Sequence, residues 1–517
     1  MNKLKTACLL AAIASNSASF AGGLLTNTNQ NIAFNRMMSR EASIGIDGVY
    51  YYPAGVVFMG EGHHLSINWQ LAYQTRTINN DYELFYNNVK SPTTPRDFKG
   101  KAFAPVIPSF QYAYNKGRWS IQGNFALTGG GGKCTFDNGL GSFEKIVAET
   151  AMAASQLATG IDRVASAYHV PNIFSTNAVF GTDGKYSFDS YMHGRQYYFG
   201  LSVGAAYKVT DNFSAYAGVR GLYATCNYYG YVRDIKVGNM PLYQVLDPTK
   251  TYAADIELSS DQSGIGFTPI IGIDFKTGRW NFSAKYEFKT RMRLKNKAVN
   301  QSPSIGNLPN NLYAAYIKNG VPEATAQAIL SNDAIKGAML QLKGQFDKEL
   351  NHAIGEYEDG KKIAADIPSY LTLGAGYSPI DALRINVGFH WFDDKNATSY
   401  NNRNKLLDRG TLEYNAGVEY DVNKKITVSG GWQNTSYGLS DEYMEDRSFV
   451  VSSNSVALGG VWHINKKMDL NVAYFHTFYD HKKTSEQLNT GAANAPTYKA
   501  DYTRTNNVFG VGLDIHF

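Results

Sequence analysis

The chain has 517 residues, with 49 Lys+Arg against 44 Asp+Glu for a formal net charge of +5. Charged residues make up only 18% while Tyr (36), Phe (27) and Gly (49) abound, which excludes disorder and gives no basic footprint for nucleic acid. No stretch approaches the ~18 consecutive apolar residues of a membrane-crossing helix, so a helical membrane protein is excluded and many half-apolar strands are not.

The chain opens with Lys3 and Lys5, a short apolar run over 7–13, and Ser19-Phe20-Ala21. This order of charge, apolar run and small residues predicts a signal peptide over 1–21, cleaved after Ala21. Cys8 lies within it and has no apolar run before it, so it is not a lipoprotein cysteine. Cys134 and Cys226 remain, too few for a disulfide framework or a zinc knuckle. Both fall near an outer rim where one bridge is chemically permitted.

Residues 22–62 fit no strand pair. They are rich in Asn, Gly and Ser and end in an aromatic run, Tyr50-Tyr51-Tyr52, with Val49, Val56 and Val57 around it. Exposed, such a run would be an unprotected sticky patch, so the segment reads as a plug inside a lumen.

From residue 63 onward apolar and polar residues alternate. Leu65, Ile67, Trp69, Leu71 and Tyr73 share one face; Trp280, Phe282, Ala284, Tyr286 and Phe288 share another; Leu383, Ile385, Val387, Phe389 and Trp391 repeat the pattern. A soluble sandwich or a lipid-embedded barrel would both alternate in this way. The barrel is favoured because the apolar faces begin or end in Tyr or Trp (Tyr73, Trp119, Tyr207, Trp280, Trp391, Trp462). Tight turns, as at Asn115-Lys116-Gly117 and Lys276-Thr277-Gly278, also alternate with long connections. About fourteen antiparallel strands are predicted at 64–76, 102–115, 118–128, 195–209, 212–233, 256–276, 279–297, 365–378, 382–395, 409–421, 425–437, 449–464, 468–480 and 501–517. The last ends in Phe517, which resembles the signal read by the outer-membrane barrel-assembly machinery. Two loops read as helical, 143–168 and 322–350, with Ser331 as an N-cap if the second is two helices.

The stretch Tyr51-Tyr52-Pro53-Ala54-Gly55 before the first strand resembles the plug motif of FadL-type outer-membrane transporters of long-chain fatty acids and other hydrophobic compounds. That family usually carries Asn-Pro-Ala, so Tyr52 departs from it. The resemblance implies an all-β transmembrane barrel over 63–517 with a plug at 22–62 and helical extracellular loops. It implies capture of a hydrophobic small molecule at those loops, plug movement, and lateral release into the membrane at a kink in the third strand. Gly129, Gly130, Gly131 and Gly132 are the candidate kink, since glycines can leave a ladder. Its surroundings would be outer-membrane lipid and lipopolysaccharide of a Gram-negative cell, the chain acting as a monomer.

Arg220, Asp274, Lys285, Glu287, Lys289, Arg291, Arg384, Glu413 and Glu419 are placed on the lumen face. Arg220 and Arg384 are the candidate head-group or plug contacts, because Arg grips carboxylates bidentately. His63-His64 does not read as a metal site, since adjacent strand residues face opposite ways. Gly131-Gly132-Lys133-Cys134-Thr135 fails as a phosphate loop, with Leu127 where its first Gly belongs. No cofactor, metal or enzymatic activity is expected; His390, His463 and His476 have no evident catalytic partner. Alternatives are a haem receptor, a diffusion porin or a surface adhesin.

Overall fold

The computed structural model describes residues 24–488 and 495–517, without the side chains of residues 341 and 345–354. The expected signal peptide lies outside the described residues. Fourteen antiparallel strands close into one barrel. They are β1 Gly62–Asp81, β2 Arg96–Lys116, β3 Trp119–Phe136, β4 Tyr186–Lys208, β5 Phe213–Val237, β6 Ile256–Thr277 and β7 Trp280–Glu287, resumed as Arg293–Gln301. Then come β8 Lys362–Ala364, resumed as Tyr370–Ile380, β9 Leu383–Phe392, β10 Thr411–Asn423, β11 Ile426–Ser436 and β12 Ser453–Asn465. Last are β13 Met468–Tyr479, resumed as Lys482–Gln487, and β14 Thr497–His516. Each strand pairs with its chain neighbour, and β14 pairs with β1 from His516 opposite His64 to Lys499 opposite Asp81. Phe517 completes the seam: its N–H donates to the His63 carbonyl at 2.9 Å and its carbonyl accepts from His63 at 2.7 Å.

The alternation has the sense a membrane demands. Leu201, Val203, Ile265, Phe267, Leu458 and Trp462 are exposed on the outside, while Gln70, Gln111, Asn124, Glu413 and Asn506 are buried inside. A soluble sandwich would bury the first set. Trp119 packs on Tyr207 at 4.7 Å and Trp280 on Tyr377 at 4.3 Å near the tight-turn end, forming an aromatic girdle. The turns there need left-handed backbone, which Gly117 (φ 57°) and Gly278 (φ 55°) supply.

Above the membrane belt the inside becomes apolar. Ile78, Phe98, Phe136, Tyr186, Met192 and Leu258 point inward and form a core with helix α3, Gly141–Ser166. The strands therefore run farther than the sequence reading placed them: β1 continues to Asp81 and β4 begins at Tyr186. The second helical loop is two helices, as allowed, but Ser331 ends the first rather than capping the second. Asn332 takes the N-cap role, its side-chain oxygen accepting from the Ala334 amide at 3.0 Å.

Candidate functional site

An eight-stranded barrel fills itself with side chains; fourteen strands enclose more space than their own side chains occupy. Here the excess is taken by residues 24–61, nearly all of them buried within the barrel. The segment contains helix α1, Ile32–Met37, and helix α2, Gly48–Tyr51. It is attached to opposite walls. Asn115 donates to the Val56 carbonyl at 2.8 Å, Gln122 to Pro53 at 2.7 Å and Ser214 to Ala54 at 2.7 Å. On β7, two strands from Ser214, Asn281 donates to Ala42 at 3.0 Å, and across the lumen Arg36 donates to the Ser429 hydroxyl of β11 at 2.9 Å. Of the five motif residues, Pro53 and Ala54 thus present their carbonyls to the wall and Tyr51 and Tyr52 are buried. The Tyr51 ring stacks on Phe34 at 5.0 Å and its hydroxyl donates to the Thr28 carbonyl at 2.8 Å. Gly55 leaves no room for a side chain between Tyr52 and Asp274.

Charge pairing carries much of the attachment. Glu419 on β10 receives Arg36, Arg40 (3.0 Å) and Arg384 (3.2 Å), and Arg40 grips Asp47 through two nitrogens at 2.8 and 3.0 Å. His390 sits between Glu41 of the inner segment (2.7 Å) and Glu413 of β10 (2.8 Å). Lys285 donates to the Tyr50 carbonyl at 2.7 Å and to Glu287 at 2.9 Å. Removing one partner of such a buried network strands the others. Glu419→Gln is expected to cost about 3–5 kcal/mol of this attachment, read as flickering conductance in planar bilayers where the parent chain is silent.

Arg220 lies against the inner segment, and Arg384 is joined to it only through Glu419, which it shares with Arg36 and Arg40. Arg220 holds Glu287 with two nitrogens, at 2.5 and 3.0 Å, and its guanidinium lies 5.4 Å from the centre of the Tyr50 ring. Arg384 holds Asp421 the same way, at 2.7 and 2.6 Å, besides Glu419. Lys289 and Arg291 are not on the lumen face: β7 breaks after Glu287 and both side chains are exposed. Cys134 and Cys226 are free, buried thiols. One faces Gly194 and the other Gln196 on the two sides of β4. Two strand spacings, about 9–10 Å, exceed the reach of a disulfide, about 7 Å between Cα atoms.

The ladder between β2 and β3 is interrupted. Their ladder runs to Ser109 opposite Ala126 and resumes at Phe103 opposite Lys133, leaving 104–108 and 127–132 unpaired with each other. Pro105 and Pro108 explain the β2 side, since neither has an N–H to give. On β3 the four glycines lie in this stretch, and the strand continues past them to Phe136 instead of ending at 128. Gly130 has φ 72°, and a Cβ there would overlap the Gln196 carbonyl. The freed β3 carbonyls are taken by the inner segment. Asn27 donates its amide to Thr128 (2.9 Å) and its side chain to Leu127 (3.1 Å) and Gly130 (2.7 Å), while Gln30 reaches Leu127 at 3.0 Å. Behind the gap an apolar cluster joins Phe34, Met38 and Tyr51 to Ala104, Ile107 and Leu127. Trp69 closes its outer edge, donating to the Pro105 carbonyl at 3.0 Å. The sequence reading missed Asn27, Gln30 and the two prolines; two prolines inside an alternating run were the available signal.

Two cavities lie on the long-loop side. The outer one, about 1020 Å³ with its open mouth, is apolar and sits between α3 (Ile146, Leu157, Ile161), helix α4, Tyr243–Leu246, and helix α5, Leu308–Lys318. The inner one, about 850 Å³ counting the space open to solvent, lies over Leu24 and Leu25 and is half polar, with Tyr198, Tyr228, Gln262 and Asp394 in its wall. Burial pushes the Asp394 carboxyl up to about 6.

A transmembrane barrel filled by its own N-terminal segment, with a stitched wall gap and an apolar outer cleft, is the class these observations define. The chain has the FadL-type fold. Over 96% of its length and 100% of the other chain it superposes on a Pseudomonas aeruginosa FadL homologue, at 15% identity and a TM-score of 0.59. A deltaS2 mutant of the TodX monoaromatic hydrocarbon channel matches at 12% identity and a TM-score of 0.50, covering 94% of this chain and 98% of that one. No family model and no curated protein matches the sequence.

Proposed function

We propose that this chain carries hydrophobic small molecules across a bacterial outer membrane as a non-enzymatic transporter. Cargo enters the apolar cleft beside α3, passes to the inner cavity, and leaves sideways through the gap between β2 and β3. The observation that supports this best is the gap itself, whose bonds are held by Asn27 and Gln30 of the inner segment with an apolar cluster behind it. Displacing that segment would both break the stitching and expose a greasy exit. An apolar route suits such cargo because each buried methylene gains about 0.8 kcal/mol. The two fold neighbours, a FadL homologue and a hydrocarbon channel by their titles, agree with hydrophobic cargo.

Long-chain fatty acids are the finer reading. Arg220 and Arg384 serve the inner segment, but Arg76 and Arg504 stand opposite each other on β1 and β14, both buried and both bonded to the Gln74 side-chain oxygen. Two guanidiniums side by side suit a carboxylate. Labelled-oleate uptake by deletion cells carrying the gene tests the proposal. Uptake equal to that of empty cells refutes fatty-acid cargo, and Arg504→Gln should lower oleate uptake more than uptake of an uncharged hydrocarbon.

A haem receptor remains the second reading, since Tyr198, Tyr228, Tyr357, Tyr400 and Tyr443 line the inner cavity; a haemin absorbance titration separates it. One constellation has hydrolase spacing: Thr427 lies 2.9 Å from His463, which bonds Asp469 at 2.7 Å. The Thr427 hydroxyl, however, also donates to Asp421 at 2.6 Å, so its proton is directed away from the base. Assembly would proceed through Phe517, and the protein would act as a monomer surrounded by outer-membrane lipid.

A further inference from the structure

The outer wall carries a close group of three cations, Lys101, Lys133 and Arg195. Lys133 on β3 stands directly opposite Arg195 on β4, and Lys101 on β2 lies one diagonal step away, opposite Thr135. All three are exposed. Like charges placed directly opposite on neighbouring strands destabilise a sheet. Among the described residues no carboxylate forms an ion pair with any of them. The nearby acids are engaged elsewhere: Asp261, two strands from Arg195, accepts from the Asn227 side chain at 2.8 Å, and Asp97 pairs with Lys99 at 3.2 Å.

Their height is informative. On β4 the outward positions run from Tyr207 in the turn-side girdle through Val203, Leu201 and Phe199 to Tyr197. Ten residues of a tilted strand climb about 25 Å, the height of a barrel's apolar band. Arg195 is the next outward residue, and Lys133 is beside it, so the row stands at the level of outer-leaflet head groups. Above it, farther from the membrane, come outward rings: His193 near Tyr229 at 5.7 Å and Tyr191 stacked on Tyr231 at 5.8 Å.

We propose that Lys101, Lys133 and Arg195 bind the phosphate of an outer-leaflet glycolipid of the lipid A type, with its acyl chains lying down over Phe103 and Phe199 and its sugars against the His193–Tyr229 and Tyr191–Tyr231 rings. A phosphate between the three cations removes their mutual repulsion, and each cation gains from an anionic surface. The rings distinguish a sugar-bearing phosphate from a free one, because they offer apolar faces just where sugars would stand. Since Phe103 opposite Lys133 is the upper lip of the wall gap, the bound lipid sits over the exit. The site stands independently of the cargo reading.

The test uses the purified full barrel in detergent with three probes: bisphosphorylated lipid A, its dephosphorylated form, and inorganic phosphate as competitor. The triple variant K101Q/K133Q/R195Q is expected to bind lipid A about 100-fold more weakly, a factor of about 5 for each cation. Dephosphorylated lipid A should bind parent and variant equally and weakly, and inorganic phosphate should not displace lipid A. Heat-modifiable gel migration verifies that the variant barrel is closed; if it is not, the single variants R195Q and K133Q, each expected to weaken binding about fivefold, decide instead. Unchanged lipid A affinity in closed variants overturns the proposal, as does displacement by inorganic phosphate, which would mark a free-anion site.

Discussion

A variant with Pro105→Thr, Pro108→Thr and Gly131 deleted is expected to assemble normally and to lose oleate uptake down to the level of cells lacking the chain. Between Ser109 opposite Ala126 and Phe103 opposite Lys133, β2 has five residues, 104–108, against six in β3, 127–132. Deleting one glycine makes five face five, and two threonines return the donors that the prolines lack. The ladder can then close through the gap, with each restored bond contributing about 1 kcal/mol. Stability should rise while transport falls, an opposition that simple misfolding does not produce. Oleate uptake and the temperature of the heat-modifiable transition, measured on the same preparations, check both halves. Retained uptake in a barrel of raised stability would remove the gap from the pathway.

Deleting residues 24–61 is expected to turn a silent barrel into a conducting one. The segment fills the lumen, and the wall has been shaped to receive it. A Cβ at Gly417 or Gly431 would overlap the Met37 carbonyl at the end of α1, and one at Gly510 would strike Ile32. Without the segment those glycines border open space, and Glu419, Glu413, Lys285 and Glu287 line a water-filled channel. Planar-bilayer recordings should give stepwise openings with the deletion and none with the parent. The valine variant Gly417→Val should behave as a milder deletion, because the over-packed contact pushes α1 from its seat.

Much of the fold was legible because period-2 patterning survives wherever one face meets lipid and the other meets polar neighbours. The strand from Leu383 to Phe392 and the turn at Lys276-Thr277-Gly278 fall where the sequence placed them. The reading faltered where that contrast fades. Above the belt the outward residues turn polar, as at Thr77, Asn79, Lys133 and Thr135, while inward ones such as Ile78, Phe136 and Tyr186 turn apolar, so the membrane pattern is lost and the strands run farther than it shows. Lys289 and Arg291 leave the inward alternation because the strand that carries it stops at Glu287. The glycine run looked like the end of β3, because sequence alone does not reveal that Asn27 would take over the lost ladder bonds. Arg220 and Arg384 were legible as lumen residues. Glu287 and Glu419 were legible there too, but their pairing with Arg220 and Arg384 was not, since strand register alone brings them together.

The central claim is that hydrophobic cargo leaves through the wall between β2 and β3. A photoactivatable long-chain probe, cross-linked in native outer membranes and mapped by peptide, tests it most directly. The account predicts labelled peptides covering 104–108 and 127–132 together with the α3 cleft, and loss of the gap label when the ladder is closed. Label running instead down the barrel interior to the turns at Gly117 and Gly278, with none at the gap, would contradict it.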